Sequence, residues 1–209
     1  MKRLYQSDYE IGIDEAGRGP LIGRVYAGAV ILGPNCKDPP EKLITDSKKL
    51  SAKKRQIALK WIKENVLAWS YAFAEPGEID KINILEATRL AMFRAVENLK
   101  TNNPTIDTNN LIIDGCYWEK KFPNYNVKSF VKGDATFLSI ACASIIAKEY
   151  HDMHIMELCK SNPVLNERYD LENNMGYGTK KHLIGLETHG PSQFHRKTFK
   201  RCEEKTDDV

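Results

Sequence analysis

The segment Ile11-Gly12-Ile13-Asp14-Glu15-Ala16-Gly17-Arg18-Gly19 joins an apolar run to two adjacent carboxylates and a Gly-Arg-Gly turn. The apolar run over residues 9–14 predicts a buried strand, and charged side chains at the end of such a strand need a chemical reason. Carboxylate oxygens beside a flexible loop and an arginine favour a divalent metal ion placed next to a phosphate. A charged strand end followed by an ordinary glycine turn fits the same residues.

Three other segments also place an acid at the end of a predicted element. Asp114 follows the apolar residues 111–113, and Asp134 follows a strand-like run over residues 126–131. Asp46 begins a basic turn, residues 46–51, before a predicted helix. Taken singly, each aspartate is a common turn former or helix N-cap. Because open sheets place their sites at strand ends, the recurrence favours a functional cluster.

The hydrophobic pattern predicts alternating strands and helices. The predicted strands lie near residues 9–14, 25–32, 67–74, 111–114 and 126–131, and the helices near 51–65, 84–100, 135–158 and 180–188. The strand over 67–74 carries large side chains on one face and small ones on the other, so it can be covered on both sides as in an α/β layer fold. Asn162 and Pro163 predict a break in the chain, and the polar run over residues 170–178 predicts a loop. Trp118 is expected in a loop, and a surface position is open for it.

Composition excludes several classes of protein. The chain has 209 residues, 42% hydrophobic and 28% charged, with a formal net charge of +3, which permits nucleic-acid binding without arguing for it. Its five cysteines are odd in number and form no C-x-x-C pair, which favours free thiols in a reducing compartment and a cytoplasmic location. We expect no signal peptide and no membrane span, because no apolar run is long enough.

Taken together, the motifs resemble the ribonuclease HII family, the type 2 ribonucleases H. The matching segments occur in the family's order: residues 12–21, 46–51, 113–115, 131–134, 143–148, 176–179 and 195–196. The resemblance implies an α/β fold, with a ribonuclease H-like central mixed sheet flanked by helices and a small C-terminal helical appendage. It places the catalytic domain at residues 1–159, a substrate-contacting appendage at 160–199 and a flexible tail at 200–209.

The same resemblance implies hydrolysis by two metal ions held by four acids, Asp14, Glu15, Asp114 and Asp134. Asp114 would be the shared ligand and Asp134 the more peripheral one. Acids without nearby cysteine or histidine ligands favour Mg²⁺ or Mn²⁺ over Zn²⁺. Adjacent strand residues point to opposite faces, so Asp14 and Glu15 can share a site only if the strand ends there or Glu15 reaches round.

The implied substrates are RNA–DNA hybrids and duplex DNA that contains ribonucleotides, cut on the 5′ side of the ribonucleotide. Gly17, Arg18, Gly19 and Tyr177 would recognise the ribonucleotide, while Lys48 and Lys49 would contact phosphates. The basic run over residues 180–182 can extend this surface. For His195 and Arg196, structural hydrogen bonds and a phosphate contact remain equally open. We expect a monomer and see no clear sliding-clamp motif.

The chain departs from the family's usual pattern at Arg24, Met175 and His151. Proline, lysine and arginine, respectively, are common there, so the departures bear on substrate contacts rather than on the reaction. Two other functions stay open. The spacing of Gly17, Gly19 and Gly23 imitates a dinucleotide-binding loop, and a non-catalytic module could bind hybrids without cutting them.

Overall fold

A five-stranded mixed sheet forms the centre of the protein. The computed structural model describes residues 1–45, 47 and 50–202. Its strands are β1 (Ile11–Ala16), β2 (Val25–Ile31), β3 (Ala68–Ala74), β4 (Asn110–Asp114) and β5 (Asn126–Phe130), in the spatial order β3-β2-β1-β4-β5. The β1-β2 and β2-β3 pairs are antiparallel, whereas β1-β4 and β4-β5 are parallel. The carboxyl ends of β1, β4 and β5 therefore meet at one edge of the sheet.

Helices cover both faces of this sheet. They are α1 (Ala52–Asn65), α2 (Pro76–Asn102), α3 (Gly133–Thr136), α4 (Leu138–Ser161), α5 (Pro163–Tyr169), α6 (Leu171–Asn174) and α7 (Lys180–His189). Helix α2 bends at Asn83, whose φ of 66° and ψ of 165° are not helical, so the predicted helix over 84–100 is only its second part. The α/β prediction, a mixed sheet between helices, is confirmed.

Each face has its own apolar core. Ile11 and Ile13 of β1 point toward α2 and pack with its buried residues Met92 and Val96. On the opposite face, α4 lies directly on the backbone of β1 and β2. A side chain at Gly28 would overlap the carbonyl of Ala143 in α4, so this close approach requires glycine. Helix α4 is thereby held near the sheet end where the acids lie.

Most predicted elements lie within a few residues of the observed ones, and the differences have physical causes. Strand β1 continues to Ala16 instead of ending at Asp14, because residues 12–16 pair with β2. The predicted break falls at Asn162, between α4 and α5, and Pro163 begins α5, where its missing N–H has no helical acceptor to lose. Part of the polar run predicted as a loop is helical, in α6. Trp118 lies in a loop as predicted but is buried, which excludes the surface position left open for it.

The segment after β1 excludes a dinucleotide-binding loop of the expected kind. That motif needs a helix directly after its glycines, so that the helix N-terminus faces the pyrophosphate. Here residues 17–24 lead into β2, which is antiparallel to β1. The dinucleotide-binding alternative is therefore wrong.

The C-terminal segment packs onto α4 and onto the β1-β2 loop. Leu21 and Ile22 of that loop share an apolar cluster with Ile155 of α4 and Tyr169 of α5. Cys202, which falls within the tail predicted over residues 200–209, belongs to the same cluster and is buried. Residues 203–209 lie outside the described residues. All five cysteines are free thiols, and no helix among the described residues could span a membrane.

Candidate active site

Asp14 and Asp114 lie side by side on neighbouring parallel strands. Ile13 of β1 pairs with Ile113 of β4, which places the two following aspartates at the same sheet edge. Asp14 is buried, with 5% of its surface exposed. Its burial and the negative charges of Glu15 and Asp114 raise the pKa of Asp14 well above the usual value, against an opposing hydrogen bond from Ser144. A cation at this edge would relieve the repulsion.

The backbone at Asp134 donates hydrogen bonds to the side chain of Asp114. The N–H groups of Gly133 and Asp134 point at Oδ1 of Asp114, at 2.6 and 3.4 Å. The chain turns sharply just before them, because Lys132 adopts a left-handed conformation with φ of 58°. Trp118 donates from Nε1 to the backbone carbonyl of Asp114 at 3.0 Å. The buried tryptophan thus supports the end of the strand that carries the central acid.

Glu15 lies on the other side of Asp14 and lines a cavity of about 560 Å³. We call this space the loop cavity; it is lined by Glu15, Ala16, Gly17, Arg18, Gly19, Ser47, Arg55, Lys148 and Tyr177. Nη1 of Arg18 lies 3.3 Å from Oε1 of Glu15. The loop cavity therefore joins the acids to the residues predicted to read the substrate.

The four acids lie at one end of the sheet. Across residues 1–45, 47 and 50–202, no three Asp, Glu, His or Cys side chains are gathered into a ready-made metal site. The donors are carboxylate oxygens, which suit Mg²⁺ and Mn²⁺, and the repulsion around Asp14 favours a cation. The chemistry of these residues therefore fits such ions.

The Gly-Arg-Gly segment and Tyr177 meet at the loop cavity. Gly17 has a φ of 87°, and a side chain there would overlap the ring of His151, so glycine is required. The ring of Tyr177 is 40% exposed and lies 3.2 Å from where a Cβ on Gly19 would stand. Nζ of Lys148 lies 5.9 Å from the centre of that ring. An exposed ring beside a cation can stack on a sugar or base.

The predicted phosphate contacts Lys48 and Lys49 lie outside the described residues, as does Asp46. Ser47 is described and buried, with its Oγ 3.0 Å from the Oγ of Ser144. Because Ser144 also bonds to Asp14, this serine pair ties the basic segment to the central acids.

A charged network lies beneath the loop cavity. Arg55 of α1 donates to Glu149 at 2.6 Å and to Asp152 at 2.8 Å. Lys148 donates to the other oxygen of Asp152 at 2.8 Å, and Nδ1 of His151 lies 3.0 Å from the same oxygen. These contacts orient the Arg55 and Lys148 side chains that line the cavity.

Among the departures from the family pattern, Arg24 has a clear structural setting. Its guanidinium forms an ion pair with Glu75 at 2.7 Å and lies 3.9 Å from the centre of the Phe73 ring. It thereby joins the end of the β1-β2 loop to the start of α2.

Comparison with known proteins identifies the chain's relatives. The sequence profile of the family described as Ribonuclease HII matches residues 11–202, nearly the whole chain. The chain belongs to the ribonuclease HII family. A ribonuclease HII of Bacteroides fragilis is 46% identical over 190 residues, which cover 91% of this chain and 88% of that protein. One of Neisseria meningitidis is 43% identical over 188 residues, 90% of each.

Solved structures share the fold of this ribonuclease HII. The ribonuclease H2 of Pyrococcus horikoshii superposes with a TM-score of 0.71 at 24% identity, over 92% of this chain and 94% of that one. Ribonuclease HII of Archaeoglobus fulgidus, solved as a complex with PCNA, gives 0.67 at 20% identity, over 96% and 99%. Bst-RNase HIII in complex with Mn²⁺ gives 0.63 at 17%, over 86% and 69%. As a ribonuclease HII, the chain is an endonuclease of the ribonuclease H type.

The β1-β2 loop beside the candidate site is bound by Arg196, whose role the sequence left open. The residue is fully buried, so a phosphate contact is excluded for it in this structure. Its guanidinium donates only to backbone carbonyls of the β1-β2 loop, at 2.6–3.1 Å. The alternative of structural hydrogen bonds is therefore correct.

Two buried histidines support Tyr177. His182 was expected on the basic surface but is buried, because it faces His195 at an Nε2–Nε2 distance of 3.0 Å. Nδ1 of His195 accepts from the N–H of Ser192 at 2.9 Å, and Nδ1 of His182 donates to the carbonyl of Tyr177 at 3.0 Å. These partners assign the Nε2 proton to His195, with both rings neutral. The pair thus fixes the backbone of Tyr177.

Acid is expected to weaken the fold through this pair. Burial and the neighbouring His182 lower the pKa of His195 to about 3, and burial lowers the pKa of His182 too. An unfolded histidine takes up a proton below about pH 6.5. The unfolded state therefore binds more protons between about pH 6.5 and 3, and the free energy of unfolding falls as the pH is lowered.

Urea unfolding at pH 7.5 and 5.5 measures this effect. His195→Asn should reduce the loss of stability between the two pH values, by up to roughly 1.4 kcal/mol per pH unit below pH 6.5. The exposed Gln193 does not titrate and offers a control, so Gln193→Asn should leave the pH dependence as in the unmodified protein. An unchanged pH dependence in His195→Asn would contradict the neutral pair.

Proposed function

We propose that this ribonuclease HII hydrolyses the RNA strand of RNA–DNA hybrids and cuts duplex DNA on the 5′ side of an embedded ribonucleotide. The observation that carries the proposal is the shared sheet edge of Asp14 and Asp114, with Asp134 joined to Asp114 through the backbone. We also propose that it acts as a monomer in the cytoplasm, where it would remove ribonucleotides from DNA.

Asp14, Glu15, Asp114 and Asp134 would hold two Mg²⁺ or Mn²⁺ ions. When bound, such ions lower the pKa of a water molecule and stabilise the leaving oxygen of a phosphodiester. The protein orients the scissile phosphate against the acids through Gly17, Arg18 and Gly19. Water adds to phosphorus and the bond to the 3′-oxygen breaks, which leaves a 3′-hydroxyl and a 5′-phosphate.

Recognition of the ribonucleotide is assigned to the loop cavity. A 2′-hydroxyl is both a donor and an acceptor, so backbone groups of Gly17, Arg18 and Gly19 can distinguish it from the hydrogen of a deoxyribose. Tyr177 would stack on the neighbouring nucleotide, and Lys148 stands beside it as a cation. Lys48 and Lys49 would contact the phosphates.

The direct test is cleavage of a DNA duplex carrying one ribonucleotide, beside an all-DNA duplex of the same sequence, with Mg²⁺ or Mn²⁺. We expect a single cut 5′ of the ribonucleotide and no cut in the control. Binding without any cleavage would instead support a non-catalytic module. Equal cutting of both duplexes would overturn the recognition model.

Tyr177→Ala should lower kcat/KM at the single ribonucleotide by about tenfold to a hundredfold. Loss of a stacked ring costs about 1–3 kcal/mol, and misplacement of the phosphate adds to it. Tyr9 is a matched control, because it is 45% exposed and precedes β1 at the opposite end of the strand. Tyr9→Ala should cut at the unmodified rate, and a similar loss in both variants would contradict the assignment.

A further inference from the structure

The five N–H donors of Arg196 all point into one loop. Nε donates to the carbonyl of Gly23 at 2.9 Å. Nη1 donates to those of Arg18 and Pro20, at 3.1 and 2.7 Å. Nη2 donates to those of Gly17 and Arg24, at 2.6 and 3.1 Å. An arginine has five such donors, so its full capacity is used on the loop of residues 17–24.

This arrangement is unusual for a buried charge. Within the described part of the chain, no acidic side chain forms an ion pair with Arg196, although burying an unpaired charge is costly. The carbonyl dipoles compensate the charge, and the Phe199 ring, 5.2 Å from the guanidinium, adds to them. Because carbonyl dipoles that converge repel each other, the guanidinium at their centre stabilises this shape of the loop.

The orientation of the carbonyls also sets the orientation of the N–H groups. In a trans peptide, the C=O and the following N–H point in opposite directions. Since the carbonyls of Gly17 and Arg18 point to Arg196, the N–H groups of Arg18 and Gly19 point away from it. Both residues line the loop cavity. Arg196 therefore determines where two of the loop's donors point.

A hydrogen bond to the residue before Tyr177 also holds the loop of residues 17–24. The N–H of Leu21 donates to the carbonyl of Gly176 at 2.8 Å, next to Tyr177. The N–H of Arg196 donates to the carbonyl of Leu21 at 2.9 Å. A displaced guanidinium would thus shift the loop relative to the tyrosine as well as to the acids.

We propose that Arg196 is a positioning residue that sets the substrate-reading shape of the Gly17-Arg18-Gly19 segment before substrate binds. The inference rests on the proposed function, because it concerns how the ribonucleotide is read. It assigns Arg196 no contact with the substrate. Its effect should therefore show in discrimination between ribonucleotide and deoxyribonucleotide.

The test measures the dissociation constants of the one-ribonucleotide duplex and of the all-DNA duplex by fluorescence anisotropy, in Ca²⁺ and with cleavage checked on gels. The readout is the ratio of the two constants. Arg196→Lys keeps the charge but has three donors for five carbonyls, so we expect the ratio to fall at least about fivefold. Arg196→Gln, with two donors, should lower it at least as far.

A control separates positioning from lost stability. Val96 is buried between α2 and the sheet, away from the loop, and Val96→Ala should destabilise the fold without changing the ratio. All variants are compared at a temperature where circular dichroism shows them folded. A folded Arg196→Lys that discriminates as well as the unmodified protein would overturn the positioning role. Equal binding of both duplexes by the unmodified protein would instead refute the proposed recognition, and the inference with it.

A measurement on the unmodified protein covers the case in which neither Arg196 variant folds. Hydrogen exchange at the N–H groups of Leu21 and Gly23, which donate to the carbonyls of Gly176 and Phe194, should be slow in the free protein, because the loop is already fixed. Fast exchange at these two groups that slows only when the duplex binds would show that the substrate shapes the loop, and would overturn the proposal.

Discussion

Asp14→Asn and Asp114→Asn should each lower cleavage at least about a thousandfold while the protein stays folded. A thousandfold loss corresponds to about 4 kcal/mol of transition-state stabilisation, which is what removing a charged ligand of a catalytic metal can cost. Asparagine has the shape of aspartate but lacks its charge. The chemistry should therefore fail although the packing is kept.

Asp14→Asn should leave the free energy of unfolding unchanged or raise it. Burial and, after it, the negative charges of Glu15 and Asp114 raise the pKa of Asp14 well above the usual value, so its charge is unfavourable in the metal-free fold. A neutral Asp14→Asn side chain removes that repulsion. We expect the thermal midpoint of the metal-free variant to equal or exceed that of the unmodified protein, as is common when a residue serves activity at the expense of stability.

Two comparisons sharpen this test. Asp134→Asn should lose less activity than the other two variants, because Asp134 is partly exposed and water can replace a peripheral ligand. Asp107→Asn is the matched control, since Asp107 is exposed and precedes β4 at the opposite end of the strand from Asp114. Near-normal turnover by Asp14→Asn or Asp114→Asn would rule out the assigned ligand set.

Removal of divalent ions should stop the reaction completely. EDTA is expected to abolish cleavage, and Mg²⁺ or Mn²⁺ should restore it. Ca²⁺ should support little turnover, because its longer and looser coordination misplaces the attacking water. Zn²⁺ should not be required, since the assigned ligands are carboxylates.

Thermal unfolding separates ion binding from turnover. Mn²⁺ should raise the midpoint of the unmodified protein, because a ligand of the folded state stabilises it, and should raise that of Asp114→Asn much less. Full activity after exhaustive chelation, with metal content checked by elemental analysis, would exclude a metal-dependent mechanism. An equal rise in both proteins would place the ion elsewhere.

The acids and their strands could be predicted from sequence because their signals are local. An apolar run that ends on a carboxylate and a glycine marks both the strand and the site, as at Asp114. Small and large residues that alternate mark the two faces of β3, and they do so without knowledge of its neighbours.

Other features could not be predicted, since their partners are far away or carry no sequence signal. Arg196 bonds to backbone carbonyls, which every residue type possesses, so nothing in the sequence indicates them. Trp118 is buried because its indole N–H reaches the carbonyl of Asp114. His182 and His195 can be buried because the Nε2 atoms of the two rings form a hydrogen bond with each other.

The hydrogen bonds from Arg196 to the carbonyls of residues 17–24 have a consequence for the order of folding during protein synthesis. Residues 17–24 leave the ribosome before their guanidinium, which follows 172–179 positions later. Domains generally begin to fold from the N-terminal side during synthesis. The strands that carry Asp14 and Asp114 can pair while the loop between β1 and β2 still lacks its central cation. The nascent chain can therefore assemble its acids first, and the proposed substrate-reading loop takes its shape only after Arg196 has been synthesised.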